Sequence, residues 1–374
     1  MEVQTETFTN GKSAGGSVTA AALAVSEPQD DQAFLQDVSA HLADGGSDLQ
    51  VSSVLGRGAF GVVYVGRWRS LPVAVKTLIL RDVEAGPEGR QRQQAVLEAA
   101  ISLSMAHENL VATYTYLLKP LVQQPPSAED GAADGGGSPG RSVGPDEITV
   151  ADGGADAHKL YIVQELCNGG SLRQALARGM AGSVRNGGSG RLLALRLALD
   201  VARGVAHVHA CRIVHGDLKP ASARDSGFPA LTAKVADFGL SLPLPEDATH
   251  HSKRYQGTPS RTAPEVAAYG RLSQRSDAWS YGTMLIELFY GCTFEDIAAL
   301  YANFLEARFD ADGTLDTRGQ YRRLCTLLLQ DMFTTPEHAY TMLTASCFAP
   351  EPHDRPTFGT IVTRLEEILS EAEN

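Results

Sequence analysis

Two short segments each place an aspartate beside a turn. Asp217 lies within Ile213-Val-His-Gly-Asp-Leu-Lys-Pro220, and Asp237 opens Asp-Phe-Gly239 after an apolar run. Phosphoryl transfer needs one carboxylate to orient the attacking hydroxyl and a second to hold Mg²⁺ on the phosphates. Lys219 adds a cation two residues after Asp217. Because strand-like segments and a turn separate the two aspartates, we expect them to meet in one cleft.

A glycine-rich segment near the start of the patterned region suits phosphate binding. In Gly56-Arg-Gly-Ala-Phe-Gly61 the glycines allow the backbone to approach phosphates and to point N–H groups at them. The same spacing opens dinucleotide-binding folds, but there a helix follows the last glycine. Here Val62-Val-Tyr-Val65 continues as a strand, which favours a hairpin over ATP. A glycine hairpin without a ligand remains the alternative.

A lysine lies inside the apolar strand pattern Val73-Ala-Val-Lys76. Burying an ammonium group is costly unless an anion and a carboxylate meet it. Glu98, on the predicted helix that follows, can supply that carboxylate. An edge-strand lysine facing water is the common alternative, and the preceding glycine segment disfavours it.

The elements that must position these residues change character along the chain. Residues 49–78 read as short strands, and residues 91–106 read as a helix followed by a strand over 110–118. Another strand is predicted at 160–163. Helices are predicted over 192–210, 276–290, 321–333 and 358–369. A strand-rich front with one helix, followed by a helix-rich back, predicts a two-lobed α+β fold.

Composition restricts the class of protein. The net charge of −12 resides in two segments, because residues 1–48 hold eight acidic residues and one lysine, and residues 121–157 hold seven and one arginine. The nearly neutral remainder argues against nucleic acid and against an anionic membrane. Five dispersed cysteines form no C-x-x-C pair, and His207, His209 and His215 have no acidic or cysteine neighbour that completes a metal site. We expect a cytoplasmic protein, without a disulfide framework.

Flexible segments are expected around the folded core. The first 30 residues are rich in small and polar residues, which predicts disorder. From Asp31 a short helix is plausible, with Phe34, Leu35, Val38 and Leu42 on one face, and it either packs on the domain or frays. The acidic, glycine-rich stretch 121–157 is predicted to be a surface insert.

Taken together, the motifs resemble those of a eukaryotic protein kinase. The glycine loop, the V-A-V-K lysine, the H-x-D-L-K-P loop, D-F-G and Ala263-Pro-Glu265 occur in the family's order. Gly169-Gly-Ser-Leu172 and the Arg355-Pro-Thr-Phe358 ending resemble the tyrosine-kinase-like branch. Lys219 and Thr258 resemble serine/threonine kinases. The resemblance implies a kinase domain over 49–369, with a small lobe over 49–166, a large lobe over 167–369 and a tail over 370–374.

The resemblance also implies roles for individual residues, with ATP and Mg²⁺ as cofactors and a protein as substrate. Lys76 pairs with Glu98 and contacts phosphates, Asp217 is the catalytic base, and Lys219 contacts the γ-phosphate. Asp237 and Ser222 hold the metal. Gln164 is the gatekeeper, before a hinge over 165–167, and Glu265 pairs with Arg355. Nucleotide contacts are expected from Leu55, Gly56, Arg57, Gly58, Ala59, Phe60, Gly61, Val63, Ala74, Lys76, Glu165 and Cys167.

Three departures from the family pattern bear on activity. Gly216 replaces the arginine that receives an activation-loop phosphate. Ser222 replaces the asparagine that binds a second Mg²⁺, and loss of one such group costs roughly 10²–10³-fold in rate. Arg224 enters the expected floor under the adenine, in a loop two residues longer than usual. Two readings follow: an active serine/threonine kinase, or a pseudokinase that binds or scaffolds without transferring phosphate.

Overall fold

The described part of the chain covers most of both predicted lobes. The computed structural model describes residues 35–36, 38–40, 42, 48–58, 61–81, 86–121, 157–218, 222–225, 231–245, 248–252, 258–301 and 317–374. The predictions for the first 30 residues, for most of the acidic insert and for Ala59, Phe60 and Lys219 lie outside these residues. The side chains of residues 222–225 lie outside them as well.

A five-stranded antiparallel sheet with one helix forms the small lobe. The strands run in the order β1-β2-β3-β5-β4. Their bounds are β1 Leu49–Gly58, β2 Gly61–Trp68, β3 Leu71–Arg81, β4 Thr113–Pro120 and β5 Ala157–Glu165, with helix α1 over Gly86–Ser104 between β3 and β4. Strands β1, β2 and β3 follow one another through short connections, as antiparallel neighbours can, whereas residues 121–156 separate β4 from β5.

The glycine segment forms a hairpin, as the sequence predicts. Strands β1 and β2 pair up to Gly58 opposite Gly61, and β2 continues without a helix. Gly61 has φ +142°, and a Cβ there would lie 1.9 Å from the carbonyl oxygen of Thr77. A side chain at this position therefore clashes with β3, so only glycine keeps the two strands at this separation.

The two faces of the sheet are covered by different parts of the chain. On the outer face, Val38 and Leu42 are buried among sheet residues. They belong to the N-terminal helical segment (helical at residues 35–36, 38–40 and 42), whose Leu42 carbonyl accepts a hydrogen bond from Lys119 Nζ at 3.1 Å. The segment therefore packs on the domain. On the opposite face, α1 packs through Ala95 and Ala99.

The transition from α1 to β4 differs from the prediction. Helix α1 begins five residues earlier than expected and ends at Ser104, and β4 begins only at Thr113. Leu110, expected in that strand, instead forms a parallel bridge with Val235 of the large lobe. Leu110 is apolar and buried, as a residue of β4 would be, but it pairs with Val235 instead of with a strand of the small lobe.

The large lobe is mainly helical, which confirms the two-lobed α+β prediction. Its helices are α2 Leu172–Ala177, α3 Gly188–Ala210, α4 Pro264–Tyr269, α5 Gln274–Tyr290, α6 Phe294–Tyr301, α7 Thr317–Phe333, α8 His338–Cys347 and α9 Phe358–Glu373. Its strands are short: β6 Ile213–Val214, β7 Ser222–Asp225, β8 Leu231–Lys234, β9 Leu242–Pro243, β10 His251–Ser252 and β11 Arg271–Leu272. Helices α3 and α5 run through the main apolar core. Among the described helices, none has the length and apolarity that crossing a bilayer requires.

Candidate active site

Lys76 lies at the centre of a charged cluster between the lobes. Its Nζ is 2.5 Å from Glu98 Oε1 on α1 and 2.9 Å from Asp237 Oδ1 of the large lobe. The side chains of Lys76 and Glu98 are 11% and 4% exposed, whereas that of Asp237 is 39% exposed. The sequence predicted the pairing of Lys76 with Glu98, and the structure adds the direct contact with Asp237.

The pKa shifts describe the balance of charge in this cluster. Burial lowers the pKa of Lys76, but the carboxylates of Asp237 and Glu98 more than offset this, so its pKa lies above the ordinary value. Burial raises the pKa of Glu98, although Lys76 opposes the shift. Lys76 therefore remains a cation at neutral pH, held between two acidic groups.

Asp237 adopts a backbone conformation that few residues other than glycine adopt. Its φ is +68°, in the left-handed region. Gly239 follows so closely that a Cβ there would lie 3.2 Å from Glu98 Oε2 and 3.3 Å from Asp237 Oδ1. The tight turn places the carboxylate of Asp237 against Lys76, and strain of this kind concentrates at functional sites.

Asp217 lies beside the segment that precedes Ala263-Pro-Glu265. Its Oδ1 accepts hydrogen bonds from Thr258 Oγ1 at 3.0 Å and from the backbone N–H of Thr258 at 3.4 Å. A threonine hydroxyl therefore already occupies a donor position on the carboxylate that sequence analysis named as the base. The sequence pointed to Thr258 only through the resemblance to serine/threonine kinases. Its contact with Asp217 is seen only in the folded structure.

Asp277 of α5 fixes the backbone that carries Asp217. Its two carboxylate oxygens accept the N–H groups of His215 at 2.8 Å and of Gly216 at 3.0 Å. His209 Nε2 is also 2.8 Å from Asp277 Oδ2. Asp277 lies in the first turn of α5, and this position gives no sequence signal of the contact.

His215 ties the loop of Asp217 to the segment of Asp237. Its Nε2 lies 3.2 Å from the carbonyl oxygen of Ala236, and its own carbonyl oxygen accepts from Ser241 Oγ at 3.0 Å. Its ring also packs on Phe238. The structure thus gives His215 and His209 structural partners, and the contacts of His215 join the two segments that carry the aspartates.

Gly216 occupies a position where a side chain is crowded. Its φ is +82°, and a Cβ would lie 2.9 Å from the carbonyl oxygen of Leu240 and 3.1 Å from Leu272 Cδ2. A different cation contacts the segment after Asp237: Arg212 donates to the carbonyl oxygens of Pro245 and Ala248. Although position 216 has no arginine, Arg212 therefore provides a cation in contact with this segment.

The face of the small-lobe sheet that carries Lys76 is turned towards the large lobe. Val63 pairs directly with Lys76, and Ala74 lies two residues earlier on the same strand, so all three share a face. Leu55 lies on β1 and is largely exposed. The predicted contacts Gly56, Arg57, Gly58 and Gly61 lie on the hairpin described above.

The predicted hinge follows the end of β5. Gln164 donates through Nε2 to Thr113 Oγ1 at 3.0 Å, and Cys167 is half-buried in the connection to the large lobe. The side chain of Glu165 pairs with Lys234 Nζ at 3.0 Å. The sequence did not reveal this pair, although a lysine in the mainly apolar segment before Asp237 indicated a buried charge that needs some partner.

Strands β7 and β8 form an antiparallel hairpin under the cleft. Ser222 pairs with Lys234 and Arg224 pairs with Thr232, in continuous register. The two strands therefore pair over residues 222–225 and 231–234 without a shift, although the loop is two residues longer than in the family pattern.

The predicted brace between Glu265 and Arg355 is confirmed. The guanidinium binds the carboxylate in a bidentate manner, at 2.6 Å from Oε1 and 2.8 Å from Oε2. Arg355 is 1% exposed, and its cationic carbon lies 5.0 Å from the ring centroid of Trp279. This pair lies below the cleft and joins the start of α4 to the segment before α9.

Comparison with known proteins agrees with this geometry. The model of the protein kinase domain family matches residues 49–365. The chain is 32% identical to the tyrosine-protein kinase Src64B of Drosophila melanogaster over 66% of its length. It is 27% identical to the serine/threonine-protein kinase pelle of the same species over 85% of the present chain. It is 28% identical to human mitogen-activated protein kinase kinase kinase 10 over 87% of the present chain.

These relatives are longer proteins, of which the chain spans 36%, 56% and 28% of the length, respectively. They include tyrosine kinases and serine/threonine kinases, in agreement with the tyrosine-kinase-like branch. The family model covers most of the chain, including every described member of the cluster around Lys76. The chain therefore belongs to the protein kinase domain family.

Proposed function

We propose that the chain transfers the γ-phosphoryl group of ATP to serine or threonine hydroxyls of a protein substrate. The observation that carries this proposal is the position of Lys76, in contact with both Glu98 and Asp237. Protein kinases require the lysine–glutamate pair and the metal-holding aspartate to be in place together. The contacts of Lys76 with Glu98 and Asp237 support the assignment of these roles to the three residues.

The carboxylate of Asp217 is the proposed base. It orients the substrate hydroxyl and accepts its proton as the phosphoryl group transfers, while Lys219, outside the described residues, is proposed to contact the γ-phosphate. Thr258, which donates to Asp217 Oδ1, supports the serine/threonine preference, because a threonine at this position before Ala263-Pro-Glu265 resembles the serine/threonine kinases.

The residues present fit a magnesium nucleotide. Asp237 offers a half-exposed carboxylate, and Mg²⁺ prefers oxygen ligands from one or two carboxylates together with phosphates. When bound, the ion neutralises charge on the β- and γ-phosphates. Ser222 is proposed as a weaker second ligand. Val63 and Ala74 are proposed to cover the adenine, with the other contacts on the glycine hairpin and at Glu165 and Cys167.

The bounds of the active domain and its location in the cell are proposed as well. We assign the activity to residues 49–369, with 121–157 as an insert and 1–48 and 370–374 as flanking segments. A cytoplasmic setting is proposed with it.

Phosphoryl transfer to a generic protein substrate tests the proposal directly. Substrate labelling should appear on serine or threonine, and Asp217→Asn should reduce it by roughly 10²–10⁴-fold without loss of ATP binding. The assay should be run across Mg²⁺ and Mn²⁺ concentrations, followed by phosphoamino-acid analysis. Label on tyrosine would overturn the specificity while leaving the kinase assignment in place.

A pseudokinase is the second candidate, and the residues Ser222 and Arg224 favour it. The serine hydroxyl is shorter than an asparagine side chain, and a buried guanidinium under the adenine would be costly. If ATP binds but no substrate is labelled at any metal concentration, this second function is the correct one.

A further inference from the structure

A second buried ion pair lies between the hinge and the strand that leads to Asp237. Lys234 Nζ is 3.0 Å from Glu165 Oε2, and their side chains are 10% and 9% exposed. Lys234 ends β8 three residues before Asp237, and Glu165 ends β5 at the start of the hinge. The pair therefore connects the element expected to hold the adenine with the element expected to hold the metal.

The segment that connects α1 to β4 forms hydrogen bonds with both of these charged side chains. Lys234 Nζ also donates to the carbonyl oxygen of Leu110 at 3.3 Å. Glu165 Oε2 accepts from the backbone N–H of Ala112 at 3.3 Å, and the Glu165 N–H donates to the Ala112 carbonyl at 2.8 Å. Each charged group thus has a further hydrogen-bond partner on residues 110–112.

Backbone hydrogen bonds complete the connection to the large lobe. The N–H of Val111 donates to the carbonyl of Val235 at 2.9 Å, and the N–H of Val235 donates to the carbonyl of Asn109 at 2.8 Å. Asn109 Nδ2 reaches the carbonyl of Ala233 at 3.1 Å. Residues 109–112, although they precede β4 of the small lobe, are therefore attached to β8 along its end.

Stability alone is a poor explanation for such a pair. Removing two charges from water offsets most of their attraction, and apolar residues of similar volume often serve a fold equally well. A charged pair of this kind does, however, fix geometry, because its hydrogen bonds hold both elements at one separation and angle. Here those elements carry the two ends of the proposed nucleotide site.

We propose that Glu165 and Lys234 are positioning residues that set the separation between the adenine hinge and Asp237. This inference rests on the proposed binding of ATP with Mg²⁺. A nucleotide that spans both ends depends on the separation, whereas adenosine, which has no phosphates, depends on the hinge alone. The pair therefore acts on the phosphate end of the ligand through the position of Asp237.

Three variants separate this role from a purely structural one. Lys234→Met and Glu165→Gln each leave one buried charge without its partner, so both should lower the melting temperature by several degrees. The double variant leaves no buried charge and should recover most of that loss. Arg191→Met with Glu337→Gln makes the same chemical change at a partly buried pair in the large lobe and serves as the matched control.

The deciding measurement is the affinity of each full-length variant for adenosine and for a non-hydrolysable ATP analogue with Mg²⁺. We expect the affinity of the double variant for the magnesium nucleotide to fall roughly tenfold more than its affinity for adenosine, since small misplacements of positioned groups cost this much or more. The control pair should leave both affinities unchanged.

The alternative outcomes point to different errors. If the double variant recovers both stability and magnesium-nucleotide affinity, the pair is only structural and the inference is wrong. If adenosine affinity falls as much as nucleotide affinity, the pair shapes the hinge and not the separation, which also overturns it. If the wild type binds neither ligand, the proposed function itself fails and the inference fails with it. Because binding is the readout, a chain that binds ATP without transferring phosphate still decides the question.

Discussion

In the cleft, one lysine faces two carboxylates, and in the large lobe one arginine faces a single carboxylate. The cluster around Lys76 has a surplus negative charge, and Asp237 in it is 39% exposed. Arg355, by contrast, is buried and donates to Glu265 and also to the carbonyl oxygens of Ala349 and Arg275. The first cluster therefore has one more acidic than basic side chain, and the second has its main charges balanced.

This is the difference expected between the proposed reactive site and a structural ion pair. Surplus charge and partial exposure are costs that a folded protein carries where a ligand will complete the arrangement. Balanced charge, bidentate geometry and full burial are the properties of a structural pair. Substitutions in the two clusters should therefore affect different measurements.

The largest expected effect is on stability, at the brace. Arg355→Met leaves the Glu265 carboxylate buried without its cation, so the free energy of unfolding should fall by about 3–5 kcal/mol. Denaturant unfolding measures this change. The matched variant with Glu265→Gln added should recover part of the loss. A fall in nucleotide affinity of the folded protein, without a fall in stability, would contradict the distinction between the clusters.

The next effect is on rate, in the cleft. Lys76→Met removes the cation that orders Glu98 and Asp237 and is proposed to contact the phosphates, so the rate of phosphoryl transfer should fall roughly 10²–10³-fold. Stability should fall as well, because Glu98 is left buried without its cation, so the rate must be measured at a temperature at which the variant is still folded. Initial rates and melting curves measured on the same preparation test both parts. A wild-type rate in Lys76→Met would remove the basis of the proposed function.

A gain of function sharpens the same comparison. Ser222→Asn adds an oxygen ligand of longer reach to the proposed metal site. The rate of phosphoryl transfer should therefore rise most at low Mg²⁺, and the gain over the wild type should shrink as Mg²⁺ saturates. The ceiling is the value of one electrostatic contact, about 3 kcal/mol. Rate against Mg²⁺ should be measured beside ATP affinity. Tight ATP binding with no gain at any Mg²⁺ would rule out a weakened metal site.

The smallest effect concerns pH, at a histidine between the two lobes. Burial lowers the pKa of His107 below its ordinary 6.5, and the facing ring of His207 adds to the shift. Its Nδ1 accepts the N–H of Asn109 at 3.0 Å, so protonation there removes a hydrogen bond. The other charged groups that act on it are Glu108, which opposes the shift, and Arg203 and Lys234, which add to it.

Because the pKa of His107 is lower in the folded state, the unfolded chain takes up this proton first as pH falls. The free energy of unfolding should therefore decrease as pH drops below about 6.5, and His107→Gln should flatten that part of the profile. Equilibrium unfolding between pH 5 and 8 tests this. An unchanged slope in His107→Gln would assign the decrease to another group.

Motif order and strand or helix periodicity were enough to predict much of this protein from its sequence. The two-lobed fold, the glycine hairpin and the pair of Lys76 with Glu98 follow from the residues themselves, because each rests on local patterning or on a buried charge that demands a partner. The pair of Glu265 with Arg355 was predicted only from the resemblance to protein kinases. The boundaries of α1 and β4 were less well predicted, since buried Leu110 has a strand-like pattern but a partner in the other lobe.

Tertiary structure alone decided which distant groups meet. Nothing in the sequence indicates that Asp277 accepts the N–H groups of His215 and Gly216, that Thr258 donates to Asp217, or that Glu165 pairs with Lys234. In each case the partners lie 41 to 69 positions apart on different elements, and their types alone allow many pairings. Periodicity reports which face of an element is buried, whereas the choice of partner depends on how the faces of separate elements are brought together.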